Sequence, residues 1–179
     1  MRIAWLMLPL LCAAVWASDA QLEYGRELFL TSGGYGCAVC HGPVADGAGQ
    51  AGGYIRGASL ESLQQSLQQV APMQPLASLF SEQDVNALAA YLSSLAQTPL
   101  LSLTFSEGSW QVQYERWQAG DVVDVVVFNN SFESLPVNLS PLGIEPFQLA
   151  PLERQAKTGQ VTDLAQNLAH LKARFSLLE

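Results

Sequence analysis

Five residues constrain this chain more than any other feature: Cys37-Ala38-Val39-Cys40-His41, two cysteines three positions apart with a histidine directly after the second. The surrounding sequence narrows what such a cluster does. A redox-active dithiol usually opens a helix in a βαβ setting, and no such alternation surrounds the motif. A structural zinc site takes four ligands, and beyond Ala17 the motif's only companion is His170. A plain disulfide across two residues leaves the histidine without a role. The remaining reading is the attachment signature of a c-type haem. Two thiols at this spacing reach the two vinyl groups on one porphyrin edge, and the adjoining imidazole reaches the iron.

The first residues, Met1 to Ala17, read as an export signal: Arg2 gives a basic start, an apolar stretch follows, and Val15 and Ala17 mark a cleavage site after Ala17. The alternatives are a retained N-terminal anchor or a lipoprotein at Cys12; the bulky Leu11 before Cys12 disfavours the second. No later segment approaches the roughly 20 apolar residues of a membrane-spanning helix. The expectation is a periplasmic protein with no transmembrane segment once processed.

The net charge is −8, one unit more negative without Arg2. That sign excludes nucleic acid as a partner. A protein partner would have to present a basic or an apolar docking patch.

Along the chain, Tyr24 to Leu30 reads as a short helix ahead of the glycine-rich Ser32 to Gly36, and Gly42 to Gly57 as loop. Leu60, Leu63, Leu67 and Val70 recur at helical spacing opposite a glutamine face, with Pro72 ending the pattern. Ser81-Glu82-Gln83-Asp84 resembles a capping box opening a helix to about Gln97. After Pro99 the texture becomes β-branched and aromatic. Strands are expected at Leu101 to Phe105, Trp110 to Arg116, Val122 to Phe128, Leu135 to Leu139 and Phe147 to Leu149, and a helix over Val161 to Lys172. The expected organisation is a signal over 1–17, a haem domain over 18–98 and a β-rich domain over 99–179.

Residues 22–97 resemble a small class I cytochrome c. The resemblance rests on Gly25 and Phe29 ahead of the motif, on Cys37 through Pro43, on Asp46-Gly47-Ala48-Gly49, and on Ala89-Ala90-Tyr91-Leu92 near the end. It implies an all-α domain in which the first and last helices cross at a glycine and an aromatic, with Gly25, Phe29, Leu88, Tyr91 and Leu92 as matching positions. The second half weakly resembles a cupredoxin-like sandwich, one that lacks the histidines and cysteine of a copper site.

Within the resemblance, Met73 is the expected sixth iron ligand. It is the only methionine after the signal and lies in Ala71-Pro72-Met73-Gln74-Pro75, where the family carries its ligand in a proline-containing loop. Two departures stand out. No proline follows the loop glycines, leaving open which carbonyl orients His41, and the usual Met-Pro is here Met73-Gln74-Pro75. His170 is expected to be solvated or locally bonded. The implied function is single-electron transfer between redox partner proteins by one covalent haem c held by Cys37, Cys40, His41 and Met73. Its alternatives are a haem subunit of a larger oxidoreductase, or a haem enzyme or gas sensor with a displaceable sixth ligand.

Overall fold

The computed structural model describes residues 17–175. The export-signal reading therefore falls almost wholly outside the described residues, as does Cys12.

The N-terminal half is built from helices with clear local causes. Helix α1 (Asp19–Thr31) starts where the Ser18 side chain accepts from the Gln21 amide, and it buries Gly25 and Phe29. Helix α2 is one turn, Ala38–His41, ended by Gly42 at positive φ. Helix α3 (Leu60–Gln69) is capped by Ser59 and buries Leu63 and Leu67; Leu60 and Val70, expected on the same apolar face, remain at the surface. Helix α4 (Glu82–Leu95) opens with a complete capping box between Ser81 and Asp84.

Helices α1 and α4 cross at Gly25. A Cβ there would stand 2.1 Å from the Ala87 carbonyl oxygen and 2.9 Å from Tyr91 Cβ, so only glycine lets the backbones meet. Phe29 and Tyr91 pack with ring centroids 5.6 Å apart beside this crossing.

Six strands follow: β1 (Leu100–Ser106), β2 (Ser109–Tyr114), β3 (Val122–Asn129), β4 (Leu135–Leu139), β5 (Ile144–Leu149) and β6 (Arg154–Gln160). Four form one sheet in the order β2-β1-β3-β6, and β4 pairs with β5 separately. Strand β1 runs antiparallel to β2 and parallel to β3, with Leu101 opposite Val125 and Leu103 opposite Val127. The side chains on that face, including Val123, pack with Leu139, Leu149 and α5 (Leu164–Phe175) into a second core. Period-two alternation puts Ser102, Thr104, Asp124 and Phe128 on the opposite face, toward the helical half.

Strand β6 has no apolar signal in the sequence. It is a sheet edge of sequence Arg-Gln-Ala-Lys-Thr-Gly-Gln in which only Gly159 is buried, so main-chain pairing with β3 places it. Charged, polar residues suit an unpaired edge.

These observations correct the expected fold class. The chain is not an all-α cytochrome c domain followed by a small cupredoxin-like sandwich. It is mixed α/β: a helical N-terminal region, itself containing a β-bridge between Asp46 and Tyr54, leads into a β-sheet-rich domain with its own core. The sequence pattern hid this because the two halves are tied by isolated polar residues. Arg56 bonds Asp124 in β3 at 3.0 Å, and Arg154 in β6 lies 3.9 Å from Asp46.

Candidate functional site

The candidate site forms around α2. Its short turn begins at Cys37, whose carbonyl accepts from the Cys40 amide at 3.1 Å and the His41 amide at 2.9 Å. This puts Cys37, Cys40 and His41 along one wall of a cavity of about 250 Å³. Met73, Pro72 and Leu76 also line it, with Phe29, Leu63, Leu88 and Leu92 from the helical core. The four site residues expected from the sequence are thus brought to one cavity. His170 is not among them: its Nε2 lies 2.9 Å from the Asn138 carbonyl in the β-rich half.

His41 is held by its second ring nitrogen. Nδ1 lies 2.9 Å from the Gly53 carbonyl oxygen. A carbonyl only accepts, so Nδ1–H donates and the lone pair of Nε2 is left for a ligand. Gly53 thereby answers which carbonyl orients His41 when no proline follows the loop glycines. Beside it, Gly52 presses against the ring: a Cβ there would stand 2.5 Å from His41 Nδ1 and 2.7 Å from the Cys40 carbonyl oxygen. No side chain fits, so the backbone itself forms this wall.

The cysteines are free thiols. Burial pushes the Cys37 thiol up to about 11, and the neighbouring Cys40 adds to the shift. Among the described residues, no group of three or more His, Cys, Asp or Glu side chains is placed to hold a metal ion. A zinc-type centre made of protein ligands alone is therefore not built here. The lining brings together two thiols, a histidine whose Nδ1 is bonded to a carbonyl, a thioether, apolar side chains and glycines, a donor set chemically suited to a covalently tethered, iron-bearing macrocycle.

Two residues that tie the helical half to the sheet, Arg56 and Asp124, escaped sequence reasoning. Arg56, its side chain 1% exposed, donates to the carbonyls of Val44, Leu95 and Thr98 as well as to Asp124. The available signal was a lone cation in an uncharged stretch and a lone carboxylate inside the valine run of β3.

No protein-family model, curated protein or solved structure matches the chain. With the mixed α/β architecture and the absence of a metal-holding side-chain group among the described residues, this corrects the family resemblance. The chain is not assigned to the class I cytochromes c, nor its second half to the cupredoxins.

Proposed function

We propose that the chain is an exported, periplasmic electron-transfer protein carrying one haem bound covalently through Cys37 and Cys40, with His41 and Met73 as the residues that would hold its iron. The proposal concerns attachment chemistry and ligation, not descent from an all-α family. One observation carries it: Cys37, Cys40, His41 and Met73 line a single apolar cavity while the Gly53 carbonyl occupies the other nitrogen of His41. Bound there, haem would supply a one-electron iron couple held by His41 and Met73, an imidazole and thioether donor set that raises its potential.

The chain's own residues do the rest. Gly53 fixes the tautomer of His41, Phe29, Leu63, Leu88 and Leu92 exclude water, and the 3₁₀ turn Gln74–Leu79 that follows Met73 anchors the methionine segment through Leu76 and Ala77 in the helical core.

The partner surface follows from charge distribution. Between Leu28 and Ser81 the only charged residues are Asp46, Arg56 and Glu61, and the Asp46 and Arg56 side chains are 3% and 1% exposed. Tyr35 and Val70 line the cavity and are exposed, as are Val39 on α2 and Leu79. Glu61 on α3 is the one exposed charge of this segment, and such a charge-poor, apolar rim favours a partner with an apolar patch over one steered by basic charge.

The test is the absorption spectrum of the exported protein in both redox states beside Met73→Ala. The expected result is loss of the methionine-to-iron charge-transfer band in the variant only. An unchanged spectrum sinks the Met73 assignment, and rapid stoichiometric carbon monoxide binding by the reduced wild type would point to an open sixth position instead.

A further inference from the structure

Two ion pairs reach from the sheet to the loop that holds His41, and they bracket it. At one end Arg154 of β6 lies 3.9 Å from Asp46; at the other Arg56 donates to Asp124 of β3 at 3.0 Å. Between them run the Asp46–Tyr54 bridge and the bond from the Ile55 amide to the Ala45 carbonyl at 3.0 Å. Gly53, whose carbonyl accepts from His41, directly precedes Tyr54.

Within the helical half the loop is tied to α2 by its main chain alone, the Gly47, Gln50 and Gly52 amides donating to the His41, Val39 and Cys40 carbonyls at 2.8, 2.8 and 2.7 Å; the two ion pairs are its side-chain ties to the sheet. Gly49, Gly52 and Gly53 offer no side chains to pack, and Tyr54 is 56% exposed. Asp124 is also an odd choice for stability. Burial raises its pKa in spite of the adjacent guanidinium, and buried ion pairs are often no more stabilising than an apolar pair replacing both partners together.

We infer that the β-rich half serves the site as a positioning element: Asp124 and Arg154 fix the 45–56 loop, and through the Gly53 carbonyl they set the orientation and basicity of His41. The geometry stands alone, and its consequence at the iron rests on the haem reading above. A firm Nδ1–H···O bond makes the imidazole a stronger donor. Loosening the loop weakens that donation and moves the midpoint potential to more positive values.

The experiment uses the full-length exported protein, comparing wild type with Asp124→Asn, Arg154→Gln and a control, Val137→Ala, which removes a buried side chain of β4 from the core of the β-rich half. Proton NMR of the reduced state reads solvent exchange of the His41 Nδ1 proton, and spectroelectrochemistry reads the midpoint potential. Both are taken well below each variant's melting temperature. Both charge variants are expected to speed exchange by roughly tenfold or more, the scale on which outer partners of a ligating histidine act. The control is expected to leave exchange unchanged despite lost stability.

Arg154→Gln is the sharper case. Deleting a positive charge alone would lower the potential, whereas a loosened His41 raises it. A negative shift there, exchange rates at the wild-type value, or equal acceleration in the control would each overturn the inference. Should Asp124→Asn fail to fold, Asp124→Glu restores the charge and is expected to return exchange toward wild type; failure to do so counts against positioning. A wild-type chain without covalent haem would instead overturn the functional reading, and the exchange comparison on that chain would still decide the geometry.

Discussion

Around His41 the tolerance for change is set by backbone rather than side chains. A methyl group at position 52 has 2.5 Å to the ring nitrogen and 2.7 Å to the Cys40 carbonyl, and neither is the yielding tip of a flexible chain. Gly52→Ala should therefore leave both thiols able to bond the cofactor while displacing the imidazole. The expected result is haem that still co-migrates with the chain on a denaturing gel but shows a perturbed spectrum when native. A native spectrum identical to wild type would contradict the cradle. Arg56 sets a comparable limit. Arg56→Ala leaves the Asp124 carboxylate buried without its partner, a change that costs about 3–5 kcal/mol in buried pairs, measurable as a lower denaturant midpoint.

Among the elements, the α1–α4 crossing carries the helical half. Gly25→Ala drives a methyl into the Ala87 carbonyl, and the helices must part; a loss of about 1–3 kcal/mol is expected from overpacking of this kind, read by thermal unfolding. The same two helices meet at Tyr24 and Asp84. The Tyr24 hydroxyl, then the Ser81 amide and hydroxyl, hold Asp84 below its ordinary value. A carboxylate depressed on folding stabilises the native state above its unfolded pKa and loses that contribution as pH falls through the folded one. The melting-temperature gap between wild type and Asp84→Asn should thus be full near neutrality and close as pH falls below about 4. A gap independent of pH would refute this linkage.

These elements also show what the sequence made legible. The helices around the motif, the capping box at Ser81 and the valine strand announced themselves, because amphipathic spacing, caps and β-branched runs are local signals. Strand β6 did not, since its partners are main-chain groups of β3. The Gly53 carbonyl did not either, because no side chain marks a backbone acceptor. The Arg56–Asp124 tie spans 68 positions and has no local signature beyond two charges in apolar surroundings. Missing that tie made the halves look independent and the first look like a self-contained all-α domain.

At the scale of the molecule, the net charge of −8 and the charge-poor rim would make opposing demands on the proposed electron exchange. If exchange runs through the rim, rates with a cationic and an anionic inorganic acceptor should each change by less than roughly threefold as the Debye length shrinks from about 30 to 3 Å. Steering by the whole protein's charge would instead give changes of about 10-fold or more, opposite in sign for the two acceptors.

The proposed function depends on thioether bonds to haem at Cys37 and Cys40. Intact-mass measurement of the exported, denatured protein tests them most directly. The chain is expected to carry the added mass of one haem, absent when both cysteines are replaced by alanine. A wild-type mass equal to the bare polypeptide would contradict the account.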